Sequence, residues 1–396
     1  MFLKLIFVKK KEYMRLNNPF IISSDYISED YFCDRKFETK VIVDNILNGR
    51  NTVLKSIRRM GKSGLISHCF SRKEISRNYT TFFVDLYSTS SLSEMVSLMG
   101  KEILDSLKGK GEKVIERFIT TVRSLVTGIT VDPVTGQPTL NISIGTVQKP
   151  EQTLKEIFEY LEKSERPCVV AIDEFQQIAG YPETNVTALL RTYVQKCRQT
   201  LFIFSGSRRR MMDKLFNDPS EPFYQSCTSL YLETIERETY YKFAAGKFKD
   251  AGKMLSEECF NRMYDALEGH TWYVQRLLNE MFASVDKGET ADLSVLNDAM
   301  QYILRLDRRS YEEALQSLTN PQKMLIIAIA KDMKAKEITS ADFIARHGLK
   351  SASSVQSAAK TLDETEAITR ELDTYYVTNR FFGFWLMERY GVGFRF

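Results

Sequence analysis

The stretch Asn51–His68, NTVLKSIRRMGKSGLISH, decides the fold. Thr52, Val53 and Leu54 read as the end of a short buried strand. Gly61-Lys62-Ser63 then opens a helix that continues through Gly64-Leu65-Ile66-Ser67-His68. The tight turn between them, Ser56-Ile57-Arg58-Arg59-Met60, has the spacing of a phosphate-binding loop, G-x-x-x-x-G-K-[ST], with Ser56 in place of the first glycine. In such a loop successive backbone N–H groups and a helix N-terminus converge on anionic oxygens. Gly61 has no Cβ to hold the backbone away from a phosphate. Lys62 is placed to reach the β- and γ-phosphates, and the Ser63 hydroxyl to ligate Mg2+. The nucleotide contacts expected here run from Ser56 to Gly64.

A partner for this loop lies downstream. Cys168-Val169-Val170-Ala171-Ile172-Asp173-Glu174 is a short apolar run that ends in two carboxylates, the pattern of a Walker B strand. Asp173 is the expected second Mg2+ residue. Glu174, with Lys62, is the expected catalytic group, polarising the attacking water. Thr80–Leu86 and Thr200–Ser207 read as two more buried strands, and Ser205 or Ser207 falls where a γ-phosphate sensor would sit. Arg208-Arg209-Arg210 follows at once, either a solvated face or a nucleotide contact.

Strands that alternate with helices argue an α/β fold with a parallel, doubly wound sheet and ligand at the C-terminal strand ends. The expected divisions are an N-terminal extension over 1–17, a nucleotide-binding core over 18–231, a helical lid over 232–308 and a winged-helix domain over 309–396. Within the core, about 108–149 reads as an insertion with a β-hairpin around Asp132-Pro133 and Thr135-Gly136. A helix from Asp34 to Leu47 is expected to bury Phe37, Val41, Val43, Ile46 and Leu47. The last part reads helix, helix, helix, hairpin, the winged-helix order. The Phe381–Leu386 aromatic cluster reads as packing.

Composition bounds the function less tightly. The 396 residues hold 43% hydrophobic and 27% charged side chains and a formal charge of +4, ordinary for a globular protein and neutral on nucleic acid. Six cysteines without a C-x-x-C, beside only three histidines, argue against a zinc site and for reduced thiols, hence a cytoplasmic protein. No apolar run approaches the roughly 20 residues a membrane helix needs, so no membrane partner is expected. The apolar Phe2–Val8 reads as a strand, a weak anchor or, the reading favoured, an over-extended start with Met14 as the initiator. The helix expected to read DNA, Ser351–Leu362, carries only Lys360 and is followed by Asp363, Glu364 and Glu366, which suits a protein-binding module better than DNA.

Taken together these residues carry a family resemblance. Asn18-Pro19-Phe20, Asp34-Arg35 with Glu38, the Ile57–Ser63 loop with its paired arginines, Ile172-Asp173-Glu174-Phe175, Phe204-Ser205-Gly206-Ser207 and the terminal Phe381–Trp385 segment resemble the AAA+-related STAND group of P-loop ATPases. The likeness is to the archaeal- and bacterial-type ATPases with a C-terminal winged helix. It implies ATP rather than GTP and Arg35 on the adenine side; of the two candidate sensor serines, Ser207 is the expected nucleotide contact. Gly269-His270-Thr271-Trp272 stands where relatives carry a Gly-x-Pro sensor-2 turn, and Arg59, Arg191 and Arg208 are all open as an arginine finger. The expected activity is a Mg-dependent, slowly hydrolysing ATP switch coupled to the winged helix, with a protein partner or self-association. The rival is a DNA-binding winged-helix protein whose loop is structural. A toxin-like or mobile-element accessory ATPase lies close to the first reading.

Overall fold

The computed structural model describes residues 18–22, 29–131, 138–142, 147–391, 393 and 396. The expected N-terminal extension, the Met14 start and the tip of the hairpin lie outside these residues. The chain divides into two compact units. One lies within Ser23–Ile235, and the other combines Glu236–Phe396 with residues 18–22.

In the first unit α1 (Lys36–Leu47) leads into β1 (Thr52–Lys55). After the loop come α2 (Lys62–Ser71), the one-turn α3 (Lys73–Ser76), β2 (Thr80–Asp85) and α4 (Leu92–Leu107). α5 (Glu112–Thr121) and an antiparallel hairpin, β3 (Val126–Val131) with β4 (Pro138–Ile142), occupy the stretch read as an insertion. α6 (Pro150–Glu162) returns the chain to β5 (Cys168–Asp173). α7 (Val186–Lys196), β6 (Thr200–Gly206), α8 (Arg209–Asn217) and β7 (Thr228–Tyr231) complete the unit.

Local sequence accounts for these elements. α4 starts where the Ser91 hydroxyl caps the Glu94 N–H, and it buries Leu92, Met95, Val96, Met99, Ile103 and Leu107 at helical spacing. α6 starts on Pro150, whose missing N–H costs nothing in a first turn. Two expectations fail at α1. Phe37 is 71% exposed and Leu47 49%, because the buried face is set by Ile42, Asn45 and Ile46. Phe37 lies five residues before Ile42, about 140° around the helix.

β1, β2, β5, β6 and β7 form one parallel sheet in the order β2-β5-β6-β1-β7. Its inner strands β5, β6 and β1 are buried on both faces, as the strands of parallel sheets are. Cys168, Val170 and Ile172 of β5 face one core with Phe82, Phe202 and Phe204, while Val169 and Ala171 face the other with Leu54 and Ile203. Each fully buried large side chain contributes about 1.5–3 kcal/mol. The sheet therefore fixes the strand ends firmly. β6 lies between the loop strand β1 and the acidic strand β5, so three C-terminal strand ends meet along one edge.

The second unit is helical apart from short strands. α9 (Arg237–Asp250), α10 (Glu257–Ala266), α11 (Thr271–Ser284) and α12 (Leu293–Leu306) come first, with β8 (Met254–Leu255) paired to β9 (Thr290–Ala291). Asn18-Pro19-Phe20 packs in this unit, Phe20 meeting Phe248 and Phe282 at ring separations of 5.6 and 5.9 Å. α13 (Arg308–Gln316) leads to α14 (Asn320–Asp332), β10 (Ala335–Lys336), α15 (Ala341–His347), α16 (Ala352–Glu364), β11 (Ile368–Glu371) and β12 (Thr374–Val377). These make a winged helix whose antiparallel sheet runs β10-β12-β11. The closing aromatics are the buried body of α17 (Arg380–Arg389), where Phe381 through Met387 are all buried. Among the described residues no helix is long and apolar enough to cross a membrane.

Candidate functional site

The site is built where β1, β5 and β6 end. Register pairs Lys55 of β1 with Gly206 of β6, and the Ser56 N–H donates to the Gly206 carbonyl at 3.3 Å. Ser56 is fully buried, and its hydroxyl donates to the Ile57 carbonyl at 2.8 Å. The left-handed positions of the loop are Arg59 (φ 65°) and Gly61 (φ 90°), not Ser56. The position that lacks its usual glycine is therefore one that any L-residue can adopt. Gly61 is the N-cap of α2, and a Cβ there would meet open space, so backbone conformation and not room calls for glycine. Met60, 1% exposed, anchors the loop in the α1–α2 core, with Ile57 packed beside it. Arg58 lies over the Tyr87 ring at 5.2 Å. Gly64 sits in the first turn of α2 with open space around it.

The facing wall is acidic. Asp173, 4% exposed, accepts at one oxygen from the Ser63 hydroxyl (2.8 Å). Its other oxygen accepts from the Ser205 hydroxyl (2.6 Å) and the Glu174 N–H (2.9 Å). Glu174 sits at φ 51°, a left-handed conformation that a non-glycine residue holds only when its surroundings over-determine it. Its Oε2 accepts from the Ser207 hydroxyl (2.6 Å), the Ser207 N–H (3.4 Å) and the Gln176 amide. Its Oε1 stands 3.8 Å from Lys62 Nζ. Two carboxylates and one ammonium thus share a largely buried edge. Such a set favours a hard divalent cation together with anionic phosphate oxygens. Ser63 and Asp173 offer oxygen donors of the kind Mg2+ takes when waters and phosphates fill its other positions. Among the described residues no cluster of three or more His, Cys, Asp or Glu could hold a metal by itself.

The loop, Lys62, Ser63, Asp173, Glu174 and Ser207 are brought together. Arg35 is placed differently from a simple ligand contact. Its buried guanidinium donates to the Glu233 carbonyl (2.6 Å) and the Met60 carbonyl (3.4 Å) and pairs with Glu38 (2.9 Å). It ties the loop to the chain that leaves β7. Arg209, from the basic run, pairs with Glu233 at 3.2 Å. Of the finger candidates, Arg191 donates to the Pro222 carbonyl at 3.2 Å, and burial lowers its guanidinium pKa. His270 is 7% exposed, with Nδ1 on the Leu267 carbonyl at 2.9 Å. Burial, reinforced by Arg380, pushes it down to about 4, so it is neutral at physiological pH and supplies no cation.

Sequence reasoning missed two features. One is Gln176, whose only signal is a polar residue two places after the acidic pair. The other is Lys55, fully buried just before the loop, where Nζ meets Asp213 (2.9 Å) and Asn217 (3.2 Å) of α8. Nothing local in the sequence joins Lys55 to α8.

This fold and this edge define the class: a P-loop ATPase core followed by helices and a C-terminal winged helix. Comparison with known proteins agrees. The family described as an ATPase domain predominantly from Archaea matches residues 32–277, and the chain belongs to that family. Nucleotide binding comes with that membership. A "Probable winged helix domain" family matches residues 309–388. The Walker-type ATPase PABY2304 of Pyrococcus abyssi is similar in structure, with TM-score 0.63 and 17% identity, over 93% of this chain and 99% of that one. The Aeropyrum pernix ORC1 protein, solved in complex with DNA, has TM-score 0.51 and 14% identity over 95% and 97%. The Aeropyrum pernix ORC2 protein has TM-score 0.50 and 12% identity over 92% and 98%. At such identities the likeness is one of fold. No curated protein matches the sequence.

Proposed function

We propose that this chain is a Mg-dependent ATPase of low intrinsic rate that works as a nucleotide-controlled switch. The observation that carries the reading is the paired constellation at the strand ends, Ser63–Asp173–Ser205 beside Lys62–Glu174–Ser207. Lys62 neutralises charge on the terminal phosphates, and the backbone of Ser56 to Gly64 wraps them. Ser63 and Asp173 hold Mg2+, which when bound draws charge from the phosphate oxygens. Glu174 orients the attacking water and takes up its proton, with Ser207 as sensor. Phosphoryl transfer asks mainly for such positioning and charge neutralisation. ATP is the nucleotide in this reading. Arg35 acts from the side of the loop, through the Met60 carbonyl, and the arginine finger comes from a protein partner or a second copy. That dependence keeps turnover low.

The reading extends to the whole chain. The core over 18–231, less residues 18–22, which pack in the second unit, forms with the lid over 232–308 and the winged helix over 309–396 a STAND-type arrangement in a cytoplasmic protein. Lid and winged helix respond together because both belong to one compact unit. The DNA reading draws support from the DNA-bound relative of similar fold, but α16 argues against it here. Its exposed face carries one lysine, Lys360, set 3.9 Å from Glu364. Phosphate contacts need more positive charge than that.

The test is an ATP titration of wild type beside Lys62→Ala, with and without Mg2+. The variant should bind about 100-fold more weakly, a loss of about 2.7 kcal/mol. Equal affinity in the two proteins would sink the proposal. Duplex binding that falls steeply with salt and ignores ATP would favour the DNA reading.

A further inference from the structure

We infer that Gln176, which has no part in the reading above, is a positioning residue for the Glu174 carboxylate. The inference rests on Glu174 being the group that activates water. Gln176 lies on the short 3-10 turn Phe175–Gly180 that follows β5, and it is 2% exposed. Its amide nitrogen donates to Glu174 Oε2, the oxygen that also takes the hydroxyl and the N–H of Ser207. With three donors on Oε2, the oxygen left toward Lys62 is Oε1, at 3.8 Å. The terminal torsion of a glutamate is broad and soft, so an isolated carboxylate would not present one defined oxygen. Donors on Oε2, from two different segments, remove that freedom and assign the working lone pairs to Oε1.

The other end of the amide argues against mere packing. Gln176 Oε1 is buried and finds no hydrogen-bond partner among the described residues. It also crowds the end of β6, where a Cβ on Gly206 would come within 2.3 Å of it. A side chain kept only to fill this space would do better as methionine, with no acceptor left stranded. What glutamine has and methionine lacks is the N–H group that reaches Glu174. Gly206, beside Ser207, leaves that amide room to lie where it does.

The experiment compares wild type, Gln176→Met and Glu174→Gln in single-turnover ATP hydrolysis, in titration with a non-hydrolysable ATP analogue, and in thermal melts. Gln176→Met keeps the length of the side chain and removes the donor. Its rate constant should fall about tenfold, the loss of one charge-assisted hydrogen bond in the transition state. Analogue affinity should stay within about twofold, because the phosphates do not touch Gln176 in this scheme. Melting should be unchanged or raised. Gln176→Leu, which packs differently, should show the same split between rate and affinity. If Gln176→Met turns over like wild type while Glu174→Gln does not turn over, the inference is overturned and the role of Glu174 stands. A rate loss matched by an equal loss of affinity, or by a lower melting temperature, points to a structural glutamine and also overturns it. If Glu174→Gln matches wild type, including the case where neither turns over, the reading of Glu174 falls and takes this inference with it.

Discussion

Two buried lysines bracket the phosphate loop, and their surroundings differ. Lys55, at the start, is fully buried and satisfied, with Asp213 at 2.9 Å, Asn217 at 3.2 Å and the Tyr231 ring at 5.2 Å. Tyr231 closes the network by donating to Asp213 at 2.7 Å. Lys62, at the end, is 7% exposed, and its carboxylate neighbour Glu174 stands at 3.8 Å, outside hydrogen-bond reach. A buried ammonium is costly unless it is fully hydrogen-bonded. The fold meets that demand at Lys55 and leaves it partly open at Lys62. The first lysine holds the loop's base to α8, and the second, in the proposed function, meets the anionic phosphates.

The largest expected effect tests the structural half of this contrast. Asp213→Ala leaves the Lys55 ammonium buried with only neutral partners. The cost should be about 3 kcal/mol, the low end for breaking a buried pair, because Asp213 is itself 40% exposed. Urea unfolding measures it, and the nucleotide affinity of the folded variant should move by less than about threefold. Lys62→Ala should give the mirror image, with weaker ATP binding but stability within about 1 kcal/mol of wild type. If Asp213→Ala mainly lowers affinity, or Lys62→Ala mainly lowers stability, the division between the two lysines is wrong.

Next comes the backbone between them. Gly61→Ala meets no steric obstacle, yet it must hold φ near 90°. The cost should be about 1–2 kcal/mol, read as a lower melting temperature. Unchanged stability would show that the loop relaxes to another path and that its left-handed turn is not built in.

How much of this was legible follows from what is local and what is not. The loop, the acidic strand end and the Ser205–Ser207 segment stand out because each packs its chemistry into a few consecutive residues. α4 is legible on the same ground, because its apolar spacing and its Ser91 cap agree. The strand order did not stand out, since β6 enters between β1 and β5 only through pairing. β7 was missed because a four-residue edge strand with one buried side chain carries no periodic signal. Phe37 was misread because helical spacing gives a face its width but not its direction. Gln176 and the Lys55 network depend on residues far away in sequence, and polar identity alone does not mark them.

The smallest expected effect concerns Ser56, where the loop departs from its usual pattern. If glycine is common there because the backbone must be left-handed, then serine should weaken phosphate wrapping, and Ser56→Gly should tighten ATP binding. The structure argues otherwise. The left-handed residues are Arg59 and Gly61, and the Ser56 hydroxyl is used on the Ile57 carbonyl within a fully buried site. Ser56→Gly gives up that hydrogen bond and adds freedom to the unfolded chain, a cost of about 1 kcal/mol. ATP affinity should change by less than about twofold, because the N–H groups facing the phosphates already have their conformation. A tenfold gain in affinity would show instead that the serine holds the loop in a poorer shape for phosphate. The contrast would then need redrawing, with the base of the loop, and not only its lysine end, setting how tightly nucleotide is held.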